Sequence, residues 1–331
     1  MRLRFLAILA LVLAVLGLVP WWLMIRMPGH SHSGALESLD ESGLALAVML
    51  RQDVETLAGL IGERNVWKPL ALQAAAAHIE SVFEAAHLET RRELYEASGV
   101  QVANVIAELP GTSSASEIVI VGAHYDSVEG CPGANDNGSG VAVLLALARR
   151  LATQPGARTL RLVAFANEEP PFFQEESMGS LVHARGCRDR DEQIVCMISL
   201  ETMGCFSDEP GSQAYPTRLL KLCYPSRGNF IAFVGNLSSA QHLRRAISQF
   251  RGAAHFPSEG ALLPEWIPGV GWSDHWAFWQ VGYPAFMVTD TAPFRYPQYH
   301  TSQDTPARVD CESIARIVPG LEQVVRDLLG R

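Results

Sequence analysis

Apolar residues recur along this chain in three rhythms. An uncharged run from Phe5 to Ile25 comes first, preceded by Arg2 and Arg4 and closed by Arg26. As a helix it would span roughly 30 Å, the thickness of a bilayer core. It is longer than the apolar part of a secretory signal, lacks a small-x-small cleavage site, and carries Trp21 and Trp22 where a membrane interface would lie. Residues 1–28 therefore read as an uncleaved signal anchor. Arg2, Arg4 and the α-amino group outweigh Arg26, which keeps the N-terminus cytoplasmic and exports the rest. Small and polar residues at 29–42, with His30 and His32 among them, read as a solvated linker.

The second rhythm is helical. Leu44 to Leu60 and Leu70 to His87 show the spacing of two helices, whereas Arg91 to Leu109 alternates like strands with Gly99 as a hairpin turn. From there strands and helices take turns. Strands are predicted at Glu117–Ala123, Thr159–Ala166, Ile194–Leu200, Phe230–Val234 and Ala285–Val288. Helices are predicted at Gly140–Leu151, Met178–Arg185, Ala240–Phe250, Asp274–Val281 and Glu312–Leu329. Such alternation predicts an α/β fold, a three-layer α/β/α sandwich around a mostly parallel mixed sheet, occupying residues 43–331 as one domain.

Composition narrows the picture. Hydrophobic residues make up 48% and charged ones 18% of the chain, which suits a folded domain rather than a disordered one. A formal charge of -9 with no basic tract excludes a nucleic-acid partner. Cys131, Cys187, Cys196, Cys205, Cys223 and Cys311 form no CxxC pair, so a structural zinc knuckle is not expected. Their even number permits disulfides in an oxidising compartment, and Cys205 with Cys223 is the pairing expected if one forms.

The unusual residues sit where the strands end, which is where open parallel sheets collect functional groups. One strand runs into His124-Tyr125-Asp126, the next into Asn167-Glu168-Glu169, and a third into Glu201; the last leads through a loop to His300. Imidazole and carboxylate donors without thiolates suit zinc, cobalt or manganese. A carboxylate two residues after His124 can hold its other ring nitrogen and fix the tautomer. Asp136, in a Gly-Ala-Asn-Asp-Asn-Gly-Ser-Gly loop before a helix, is placed to bridge two cations. Adjacent Glu168 and Glu169 would raise each other's pKa unless a cation compensates. Dividing the labour answers this: one ligates metal, and the other takes a proton from the attacking water.

Other polar residues read as structural or supporting. Ser273 or Asp274 would cap a helix, with His275 beside the mouth of the site. His183, His242 and His255 have no paired ligands nearby in sequence, and Asp304 would orient His300 or cap its loop. Trp266, Trp272, Trp276 and Trp279 belong to packing, with one or two facing a cleft.

Taken together, VGAHYDSV, PGANDNGSGVAVLLALAR, FANEEPPFFQEESMGS, ISLETMG, SDHWAFWQVGYPAFMVTDT and YHTSQDTP resemble the di-zinc aminopeptidase family, which also includes glutamate carboxypeptidase and secretory glutaminyl cyclase. The resemblance runs from about Leu70 to the C-terminus and is closest from Ile118 to Thr305. It implies two zinc ions, one held by His124 and Glu201 and the other by His300, with Glu169 joining His300 or shared across the pair and Asp136 bridging. It also implies Glu168 as general base and Asp126 as the partner of His124. The position of Glu201 is Asp in many aminopeptidases and Glu in some relatives, which leaves metal number and substrate open. The reaction implied is removal of N-terminal residues from peptides by metal-activated water. Two alternatives share the fold: a single-zinc glutaminyl cyclase and a non-catalytic membrane-tethered receptor or scaffold.

Overall fold

The alternation of apolar strands and covering helices becomes one eight-stranded sheet between two helical layers. A computed structural model of the chain describes residues 15–19 and 22–331. Helix α1 (Glu41–Val54) continues through a wider turn over Glu55–Ile61, and α2 (Pro69–Ala85) follows, started by Pro69 in the first turn. Strands β1 (Glu89–Ala97) and β2 (Val100–Leu109) form the expected hairpin, closed by Ser98 and Gly99, both at positive φ.

Next come β3 (Ser114–His124), α3 (Gly140–Leu151), β4 (Arg158–Phe165), α4 (Gly179–Asp189), β5 (Gln193–Glu201) and the short α5 (Arg218–Cys223). Strand β6 (Ile231–Gly235), α6 (Ala240–Ala253), β7 (Ser258–Leu262), α7 (His275–Gln280), β8 (Ala285–Thr289) and α8 (Cys311–Leu328) complete the domain. The sheet order is β1-β2-β4-β3-β5-β8-β6-β7. Its centre, β4-β3-β5-β8, is parallel, and antiparallel pairs join it to β2 on one side and β6 on the other.

Central strands covered on both faces need apolar side chains on both, so β3 and β5 are continuous hydrophobic runs rather than alternating ones. Because β4, β3, β5 and β8 run the same way, their carboxyl ends share one rim. Helix α3 is buried nearly all round, packed between the sheet and the α1 and α8 helices.

Two elements escape the sequence pattern. Strand β7 reads Ser-Glu-Gly-Ala-Leu, and Glu259-Gly260 interrupts the apolar signal; α5 is only six residues long. The expected Cys205–Cys223 disulfide is corrected here, for all six cysteines are free thiols. Cys205 lies in the loop after β5, where its N–H donates to Asp290, while Cys223 closes α5.

Among the described residues no helix is long and apolar enough to cross a membrane. Much of the anchor expected over Phe5–Ile25 lies outside them. The end of the segment read as an anchor and the start of the one read as a solvated linker are docked on the domain, Met24 and Ile25 packing against apolar residues around Leu220 and Ile267. Met27 is buried, Arg251 donates to the carbonyls of Pro28 and Gly29, and the Ser258 N–H donates to the Ser31 hydroxyl. This covers β7, which would otherwise be a bare sheet edge.

Candidate metal centre

Four strand ends deliver the expected donors to one place. The ring Nε2 of His124, at the end of β3, lies 3.3 Å from Asp136 Oδ1 and 3.4 Å from Glu201 Oε2. The ring Nε2 of His300 lies 3.1 Å from both Asp136 Oδ2 and Glu169 Oε2. Asp136 thus turns one oxygen to each group. Glu168 approaches from the side, its Oε2 3.8 Å from His124 Nε2. All of these residues are buried except His300, which is partly open to solvent.

The loop bearing Asp136 is fastened from several sides. Gly133 has φ +63°, and a Cβ there would meet the Asp136 carbonyl oxygen at 2.5 Å, so only glycine fits. A cis peptide bond joins Asp136 to Asn137. The Asn137 Oδ1 accepts from Gly140 N–H and Thr202 N–H, tying the start of α3 to the end of β5. Asp304 accepts from the N–H groups of Asn135 and Asp136 and from the Tyr296 hydroxyl. It therefore caps this loop rather than orienting His300.

Asp126 does more than face His124. Its Oδ1 stands 3.4 Å from the ring Nδ1, while its two oxygens accept the N–H groups of Glu168 and Glu169, both at 3.1 Å. One carboxylate thus locks the end of β3 to the glutamate pair after β4. Asn167, just before that pair, has φ 59°.

Two supporting residues take roles the sequence did not signal. Ser273 donates to Glu201 Oε2 at 2.7 Å instead of capping α7, and no side chain caps that helix. Fully buried Arg64 donates to the carbonyls of Tyr125, Pro132 and Gly133, bracing the loop between His124 and Asp136. A lone arginine serving carbonyls has no recognisable spacing, so only the fold reveals it. His275 lies apart from the cluster, with Nε2 2.8 Å from the Val270 carbonyl, and burial pushes its pKa down to about 4. His183 pairs with Glu93, and His255 meets the ring of His32. Trp272 lines a cleft, while Trp279 donates to the Ala285 carbonyl and Trp276 to Glu265.

The electrostatics call for cations. Both ring nitrogens of His124, both oxygens of Asp136 and Oε1 of Glu169 are buried without a hydrogen bond. Buried polar atoms rarely remain so unless something else ligates them. Burial, with Asp136 close by, pushes Glu169 up to about 7, and burial likewise lifts Glu168, with Glu201 and Glu169 adding repulsion. His124, Asp136 and Glu169 each offer a donor atom, all within 4.8 Å of one another. Nitrogen and carboxylate oxygen donors at such spacing fit zinc.

Residues 104–325 match Peptidase family M28. The chain belongs to this peptidase family. The uncharacterised protein YfbL of Escherichia coli is 36% identical over 258 residues, covering 76% of this chain and 78% of that protein. Among solved structures, the zinc aminopeptidase BSAP of Bacillus subtilis superposes with a TM-score of 0.68 at 15% identity, covering 85% of this chain and 94% of that one. A glutaminyl cyclase from Fimbriiglobus ruber follows at 0.61 and 18% identity, covering 89% and 97%. At these identities the two structures share the fold with this M28 chain and nothing finer.

Proposed function

We propose that this M28 peptidase is a zinc aminopeptidase that removes N-terminal residues from peptides, and that His124, Asp136, Glu169, Glu201 and His300 would hold two zinc ions. The observation carrying this reading is the split of Asp136, one oxygen toward His124 and Glu201 and the other toward His300 and Glu169. Zinc bound at such a centre would lower the pKa of water and polarise a substrate carbonyl. Glu168 takes the proton of the attacking water and delivers it to the departing amine. Asp126 holds the backbone of Glu168 so that its carboxylate stays aimed at the reaction. A cleft lined by Glu201 and Tyr299 takes the side chain of the first residue. Surplus carboxylate at the centre attracts the free α-amino group. The run of Phe5 to Ile25 after Arg2 and Arg4 supports a membrane-tethered enzyme working on the exported side.

Glu168→Gln tests the chemistry. It preserves shape and all five ligands, so metal content is expected to match wild type while kcat falls 10²- to 10⁴-fold. Near-normal turnover with full metal content would remove Glu168 from the mechanism.

A further inference from the structure

The cavity beside the metal centre has an acidic far end. Four strands lie side by side there, and their register aligns Glu201 with Thr289, Thr289 with Ala232, and Ala232 with Glu259. All four residues line the cavity, so they form one row on one face of the sheet. The row starts at a residue of the metal centre on β5 and finishes at Glu259 on the edge strand β7. Three strand spacings of about 4.8 Å separate its ends by roughly 14 Å.

Glu259 points into the cavity and not toward the opposite layer. Its neighbours Ser258 and Gly260 face the other side, where Ser258 meets Arg251 and a Cβ on Gly260 would meet Met27 and Ile247. The nearest cation, Arg251, is engaged with the hydroxyl and carbonyl of Ser258 and with the carbonyls of Pro28 and Gly29. Among the described residues Glu259 has neither hydrogen bond nor ion pair.

The walls around it are apolar or already satisfied. Leu220, Ile267 and Val234 contribute hydrocarbon. Tyr215 and Tyr224 stack with centroids 5.9 Å apart, and their hydroxyls donate to the carbonyls of Pro225 and Gly260. Gln213 is tied to Thr291 and Arg295. Glu259 is thus a half-buried carboxylate awaiting a partner in an apolar sleeve. Burial raises its pKa, in keeping with an unpaired acid.

We infer that Glu259 is a specificity-determining residue that selects peptides beginning with lysine or arginine. An arginine side chain extends roughly 7 Å, and with the length of the Glu259 side chain at the other end of the row the two are of the order of this separation. The methylene stem lies along the tyrosine rings and aliphatic wall, while the cationic tip meets the carboxylate. A buried charge without its partner is costly, so an apolar first residue forfeits the pairing that a basic one makes. The inference rests on the aminopeptidase reading for its chemistry, but not for its binding site.

The test pairs kinetics with calorimetry on the zinc-loaded protein. Arginyl-, lysyl-, leucyl- and phenylalanyl-coumarylamides are compared for wild type and Glu259→Gln, together with binding of free L-arginine and L-leucine. The expected result is a kcat/KM for arginine or lysine at least tenfold above leucine, with that ratio falling at least tenfold in Glu259→Gln. Leucine or phenylalanine preferred over arginine by wild type, or an unchanged ratio in the variant, would overturn the inference. Should wild type cleave none of the four, arginine bound more tightly than leucine in a Glu259-dependent way would keep the pocket assignment and reject the reaction. Equal binding of the two would reject both.

Discussion

Asp126 accepts two backbone N–H groups from the glutamate pair and faces the imidazole of His124, so one side chain sets the position of three others. Asn in its place presents only one oxygen, and its amide hydrogens oppose an N–H. Asp126→Asn is expected to lower zinc affinity 10- to 100-fold, the usual cost of losing such a partner. Competition with a chromophoric chelator measures it, and an unchanged affinity would show that Asp126 serves the loop and not the metal. At this scale the sequence was informative where chemistry is concentrated. His124, Asp136, Glu168, Glu169 and Glu201 stand out because polar residues directly follow apolar strands or occupy a Gly-rich loop. Arg64 and the bond from Ser273 to Glu201 do not stand out, since these partners come from distant parts of the chain and only folding brings them together.

Elements reach the rim through contacts that are themselves polar. Helix α4 is pinned to the outer strands by Glu93 on β1, whose carboxylate lies 2.9 Å from His183 Nδ1 on the helix and accepts from Asn104 on β2 at 2.8 Å. Burial alone would raise the pKa of Glu93, but the His183 and Asn104 hydrogen bonds and nearby positive charge override it and hold it at about 2. Because the folded pKa lies below the ordinary 4.5, the ionised form stabilises the fold above that pH, and the gain disappears as pH falls toward 2. Glu93→Gln is expected to cost about 2 kcal/mol near neutral pH, with the difference shrinking between about pH 5 and pH 2. Urea midpoints of both proteins at several pH values give the answer, and a difference that does not vary with pH would contradict the pairing. Most elements were legible because both faces of the central strands are covered, which forces unbroken apolar runs. Strand β7 was hidden for a reason bound up with its place: at the sheet edge it carries a glutamate on one face and a glycine, close against Met27, on the other.

At the scale of the molecule, sheet direction brings the parts together. Parallel β4, β3, β5 and β8 send their ends to one rim, and the antiparallel turn to β6 and β7 extends the same face into a cavity beside it. The M28 match covers this whole arrangement, from β2 to α8. Its acidic interior accounts for part of the formal charge of -9, a part that bound cations would offset. The fold and the convergence of the polar side chains at one rim were legible along the chain; the free cysteines and the docked N-terminal segment were not, because neither disulfide geometry nor edge covering leaves a pattern along the chain. The most direct measurement takes the purified chain, counts zinc per molecule, and follows a peptide with a free amino terminus beside its N-acetylated twin by mass spectrometry. The expected result is two zinc ions, stepwise loss of residues from the free peptide alone, and abolition of that loss by a chelator with recovery on adding zinc. Cleavage of the acetylated twin, or cyclisation of an N-terminal glutamine without peptide-bond cleavage by a protein holding one zinc, would contradict it.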